Sequence, residues 1–147
     1  MPKTSVHIAS VVADANVLLS AVVSKAALRV ITEFEVSVHA ARFNADEVAE
    51  YLPLMAAKYR LPLELVEMQW KLLPIEVHDL EEYRGRFDRA HADLLARDPE
   101  DAHALALARC LGLPLWSNDR DLSLRGVECY STARLLSMLQ RQSEPTK

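Results

Sequence analysis

The sequence predicts an α/β fold, a three-layer α/β/α sandwich with a central parallel sheet of about five strands. Short apolar runs rich in β-branched residues alternate with longer segments of helical spacing along the chain. Strands of a parallel sheet are covered on both faces, so they read as continuous apolar runs. The length of 147 residues suits one ordinary domain. With 50% hydrophobic and 26% charged residues, the composition is globular.

The first strand is Ile8 to Ala13, ending at Asp14. A helix is expected from about Ala15 to Glu33, followed by a strand over Phe34 to His39. Asn44 caps a helix running to about Tyr59. Pro62 opens the next helix, because proline suits a first turn, and Pro74 ends it. Ile75 to His78 is a short strand, and Asp79 to Leu95 has helical spacing. Asp98 and Pro99 read as the cap and first position of an Ala- and Leu-rich, buried helix that Gly112 stops. Leu113 to Trp116 and Val127 to Tyr130 complete the strands, and Ser131 or Thr132 caps a last helix through Leu139. Residues 1–141 form the domain; the polar stretch 142–147, with Pro145, reads as a frayed tail.

Several function classes drop out. Gly85, Gly112 and Gly126 are the only glycines, so neither a dinucleotide-binding fingerprint nor a P-loop is possible. No GxSxG supports acyl transfer. Asp14 is followed by Ala15 and Asn16, without the second acid of a dehalogenase-type phosphatase, and no lysine follows a late strand as in a phosphoryl receiver. Cys110 and Cys129 form no CxxC and read as buried small hydrophobes. His7, His39, His78, His91 and His103 make no HExxH and no evident pair, and are read as ordinary surface or core residues. The run Val11 to Val23 is interrupted by Asp14, Asn16 and Ser20, too polar for a membrane span, and the chain is read as cytoplasmic. Lys and Arg number 17 against 21 Asp and Glu, a net charge of −4. A nucleic acid partner therefore needs bound metal and a local basic patch to offset that charge.

Four acids stand where a sheet edge can gather them. Asp14 and Asp119 each follow a strand, and ligands of open α/β sheets bind outside the carboxyl ends of the strands. Each also has a local explanation: Asp14 as a helix cap, Asp101 as a first-turn acid, Asp119 as a turn residue. Asp121 is a supporting neighbour. Among Asp46, Glu47 and Glu50, Glu47 borders the apolar stripe Val48, Tyr51, Leu52 and Met55, with Glu50 as the alternate. Clustered carboxylates repel unless a cation neutralises them, and oxygen-only donors suit Mg²⁺ or Mn²⁺.

The segments "VVADANVLLSAV", "FNADEVAEYLP" and "DPEDAHALALARCLGLPLWSNDRDL" resemble, in order, spacing and context, the PIN-domain nucleases. The resemblance covers about Val11 to Leu139. It implies a three-layer α/β/α fold and a site of Asp14, Glu47, Asp101 and Asp119 holding Mg²⁺ or Mn²⁺. It further implies that Asn16 steadies the Asp14 loop and that Ser117 stands where the family often has threonine. Expected products carry 5′-phosphate and 3′-hydroxyl ends. Many small single-domain members, similar in size to this chain, are VapC-type toxins that cut RNA and are held by an antitoxin, and the resemblance suggests a homodimer. Arg86, Arg89 and Arg120, with Arg84 and Arg125, are candidates for phosphate contacts. The exposed apolar positions of "LPLELVEMQW" are candidates for an interface. The other class left open is a PIN-fold RNA-processing protein, RNA binder or scaffold without a toxin role.

Overall fold

A computed structural model describes residues 7–93, 102–119 and 126–144. In chain order it contains β1 (Ser10–Ala13), α1 (Ala15–Val23), α2 (Lys25–Thr32), β2 (Ser37–Ala41), α3 (Arg42–Lys58) and α4 (Leu63–Leu72). Then follow β3 (Ile75–His78), α5 (Leu80–Asp93), α6 (Ala102–Leu111), β4 (Leu115–Trp116), β5 (Cys129–Tyr130) and α7 (Thr132–Ser143).

The strands form one parallel sheet in the order β3-β2-β1-β4-β5. The chain moves outward from β1 through β2 to β3, then returns to the other side of β1 for β4 and β5. The switch of direction therefore lies between β1 and β4, where an open α/β sheet leaves a crevice beyond its strand ends. The two strands are joined there by Val12 N–H to Pro114 O at 2.9 Å and Asp14 N–H to Trp116 O at 3.2 Å.

Side chains alternate between the two faces of a strand, and the core divides accordingly. Val11, Ala13, Val38, Ala40, Trp116 and Tyr130 face α1 to α4 and α7. Val12, Ala41 and Leu115 face α5 and α6. The alanines 102, 104, 106 and 108 of α6 are all buried, which lets this helix lie close against the sheet and α5. Gly112, at φ 67°, ends α6 in the left-handed conformation glycine tolerates best, and Leu113 N–H bonds back to Ala108 O.

The elements differ locally from the sequence expectations. The single helix expected over 15–33 is two, meeting at 101°. Ser24 makes the break: its backbone is extended, and both its N–H (2.7 Å) and its hydroxyl (2.8 Å) turn back to Ser20 O. The strand expected at 34–39 lies at 37–41 and runs straight into α3. Asn44 is consequently inside α3, not its cap. The buried stripe of α3 is Ala45, Val48, Leu52 and Ala56, whereas Tyr51 is exposed. Cys110 is exposed, not buried. Gln142 and Ser143, counted with the polar tail, belong to α7. Asp98 and Pro99 lie outside the described residues. Among the described residues, no single helix is long and apolar enough to cross a membrane.

Candidate active site

Asp14 sits at the carboxyl end of β1 and is 4% exposed. It caps α1, accepting the Val17 N–H at Oδ1 (3.0 Å) and the Asn16 N–H. A third bond comes from the hydroxyl of Ser117, beyond β4. The cap reading and the site reading of Asp14 thus describe one side chain, whose negative charge also favours the positive end of α1. Burial raises its pKa above the ordinary carboxylate value and the nearby charge of Asp119 raises it further, while the three hydrogen bonds pull the other way. Asn16 acts through its backbone N–H; its side chain is exposed.

The turn after β4 is built around Ser117, itself buried. Its hydroxyl donates to Asp14 and accepts the backbone N–H of Asp119 at 3.0 Å. The turn is fastened to α7 at two points. Asn118 Oδ1 accepts Thr132 N–H, and the indole N–H of Trp116 donates to Thr132 Oγ1, both at 2.9 Å. Asp119 is exposed at the mouth of this turn. Asp14 and Asp119 are thereby brought together across the switch point between β1 and β4.

Glu47 lies one turn into α3, half-buried, and accepts Asn44 Nδ2 at 3.0 Å. Asp46 and Glu50 are exposed. The Asn44 side chain is buried, and its Oδ1 has no hydrogen-bond partner among the described residues. It is a polar group at the β2–α3 junction that the sequence reading assigned to capping. Asp101, Arg120, Asp121 and Arg125 lie outside the described residues. Arg86 and Arg89 are not gathered with Asp14. They line a cavity of about 1060 Å³ with Ser10, Pro114 and Glu128, residues at the entry ends of the strands.

Two further residues stand out. Cys129, on β5, reaches the carbonyls of Ser117 (3.7 Å) and Asp119 (3.9 Å). Burial pushes its thiol up to about 11, with Asp14 and Asp119 adding to the shift, so it is neutral beside the acids. His103 stacks on Phe43 at 4.1 Å between ring centroids and bonds the Tyr83 hydroxyl at 2.7 Å. Burial, then His91, lowers its pKa, as suits a neutral packing residue.

The family model described as PIN domain matches residues 12–140. In fold the chain is similar to PAE2754 from Pyrobaculum aerophilum, with a TM-score of 0.66, 17% identity, and coverage of 94% of this chain and 99% of that one. It is also similar to a chain of a toxin-antitoxin complex from Klebsiella pneumoniae, with a TM-score of 0.61, 14% identity, and coverage of 83% and 97%. No curated protein matches. PIN domains are in general nucleases that work with divalent metal ions. The matched span takes in the carboxyl end of β1, the other four strands and so both sides of the switch point, and on that match this chain belongs to the PIN domain family.

Proposed function

We propose that this chain is a Mg²⁺- or Mn²⁺-dependent endoribonuclease acting in the cytoplasm, and that it is the toxin of a toxin–antitoxin pair. The carboxylates of Asp14, Asp101 and Asp119 would hold the cation, with Glu47 completing the site directly or through water. The observation that carries the reading is the Asp14 carboxylate, buried and facing the negative charge of Asp119. A divalent cation relieves both penalties at once, and no cationic side chain of the described residues is among the causes acting on Asp14. The oxygen-only donor set fits a hard cation.

When bound, the cation supplies Lewis-acid activation of the attacking water and neutralises charge on the phosphodiester. The chain's own residues set the geometry. The Val17 and Asn16 N–H groups and the Ser117 hydroxyl fix the rotamer of Asp14, and Ser117 ties Asp119 to it. Attack by water leaves a 5′-phosphate and a 3′-hydroxyl.

A protein partner is supported by the face of α3 and α4, where Tyr51, Leu54, Leu65, Met68 and Leu72 are exposed. A second copy of the chain and an antitoxin are the partners this reading expects there, and a chain of the same fold occurs in the Klebsiella pneumoniae toxin-antitoxin complex. The decisive experiment is cleavage of labelled RNA with Mg²⁺, Mn²⁺ or EDTA, using wild type and Asp14→Asn. Metal-dependent cleavage lost in the folded variant is expected. Cleavage that survives both EDTA and the substitution overturns the mechanism, and binding without cleavage under either metal favours the RNA-binding scaffold.

A further inference from the structure

A second group of ligating side chains lies outside the acidic site, at the outer edge of the sheet. His39 Nδ1 is 2.9 Å from His78 Nε2 and 3.3 Å from Glu76 Oε2, and the three donor atoms all lie within 4.8 Å of one another. The register that pairs His39 with Glu76 and Ala41 with His78 puts all three side chains on the α5 and α6 face of the sheet. The histidines are largely buried, with side chains 13% and 9% exposed, and Glu76 reaches in from solvent. On the far side of His78, Nδ1 meets Glu82 Oε2 of α5 at 2.5 Å.

We propose that His39, His78 and Glu76 form a binding site for a first-row transition-metal dication of the Zn²⁺, Co²⁺ or Ni²⁺ class, distinct from the acidic site. Two imidazoles and one carboxylate are a donor set these ions favour and Mg²⁺ does not. Ligand atoms about 2.1 Å from a tetrahedral ion stand about 3.4 Å apart, which small rotations about the side-chain bonds reach from the present spacing. Glu82 supplies the carboxylate partner usual behind a metal-bound histidine. As acceptor of the Nδ1 proton, it leaves the lone pair of His78 Nε2 directed at His39. In the ion-free protein one proton on His39 Nδ1 bridges the two rings. An incoming dication takes the place of that proton, which moves to Nε2 of the same ring, and both nitrogen lone pairs become ligands. The site joins β2, β3 and α5, so an ion there staples the edge strand to the sheet.

The test uses the full, tag-free chain stripped with EDTA and titrated with Zn²⁺ alone by calorimetry and with Co²⁺ alone by visible absorption. One tight equivalent of Zn²⁺ and the intense visible bands of low-coordinate Co²⁺ are expected. His39→Gln and His78→Gln are expected to weaken Zn²⁺ binding roughly a hundredfold or more, and Glu82→Gln about 10–100-fold. Glu76→Gln, at an exposed position, removes a ligand without disturbing the fold. Asp14→Asn is expected to leave the tight equivalent intact, which separates this site from the proposed nuclease centre. Zn²⁺ affinity unchanged in folded His39→Gln, His78→Gln and Glu76→Gln, loss of the tight equivalent on Asp14→Asn, or absence of a tight equivalent in wild type overturns the proposal.

Discussion

The hydroxyl of Ser117 donates a hydrogen bond to the carboxylate of Asp14. Its oxygen also accepts the Asp119 N–H at 3.0 Å, so one buried hydroxyl couples the ends of β1 and β4. Ser117→Ala removes both bonds and leaves a backbone N–H without its acceptor. Groups that orient metal-binding side chains are worth about 10–100-fold in affinity or activity. Ser117→Ala is therefore expected to slow RNA cleavage by that factor and to raise the Mg²⁺ concentration at half-maximal rate. Ser117→Thr keeps the hydroxyl and is expected to retain activity. Equal rates and equal Mg²⁺ midpoints for all three proteins would show that this coupling has no part in the site.

Asp14 is expected to trade stability for function. Its pKa in the folded chain lies above the ordinary 3.8, because burial and Asp119 disfavour the charged form. Between 3.8 and the folded value, the native state binds more protons than the unfolded chain. Its contribution to stability is therefore full below that window and is lost as pH rises through it. Asn at position 14 keeps a carbonyl oxygen for Val17 and Ser117 but carries no charge. In EDTA, Asp14→Asn is expected to melt above wild type at neutral pH, with a gap that opens as pH rises through the window and then stays constant. Mg²⁺ is expected to raise the Tm of wild type and to have little effect on the variant. A variant that melts below wild type at pH 7 in EDTA would contradict the buried-charge account.

Which of these features the sequence carries depends on how local each is. Asp14 and Asp119 were legible because a strand end is marked by a few adjacent residues, and the alternation of elements predicts a parallel sheet with its ligands at one edge. The half-buried position of Glu47 beside Val48 and Leu52 was legible, although Tyr51, counted in the stripe, is exposed and Met55 is only half-buried. The Ser24 break was not legible: no Gly or Pro marks it, and the bend rests on two bonds to one carbonyl. Nor was the pairing of His39 with His78, which depends on strand register across 39 positions. Asn44 was misplaced because β2 enters α3 without a loop, leaving no room for a cap.

The two cysteines are expected to differ sharply in reactivity. Both were read from sequence as buried, but Cys110 is exposed and Cys129 is half-buried behind the acids. The thiolate is the reactive form, and the Cys129 thiol is held up at about 11 by burial and by Asp14 and Asp119. At pH 8, iodoacetamide is expected to label Cys110 well before Cys129, as resolved by peptide mass spectrometry. Mg²⁺ is expected to speed labelling of Cys129, since a cation offsets the two carboxylates that disfavour its thiolate. Equal labelling rates at the two positions would mean that Cys129 does not feel the acidic site.

The end of α7 is expected to stabilise the start of the sheet. The side chain of Gln142 accepts the Ile8 N–H at Oε1 and donates from Nε2 to the Ile8 carbonyl, both at 2.7 Å. Ile8 is 2% exposed and stands two residues before β1, where its backbone groups need partners. Gln142 supplies both at once, as a neighbouring strand would. Gln142→Ala therefore leaves a buried donor and acceptor unpaired and is expected to cost about 1–3 kcal/mol, two bonds at about 0.5–1.5 kcal/mol each. For a domain of this size that lowers Tm by roughly 2–4 °C per kcal/mol. Gln142→Glu keeps the acceptor for the N–H but loses the donor to the carbonyl, and is expected to fall between the two. If urea unfolding gives the same midpoint for Gln142→Ala as for wild type, the contact adds nothing, and position 142 behaves as the frayed tail its composition suggests.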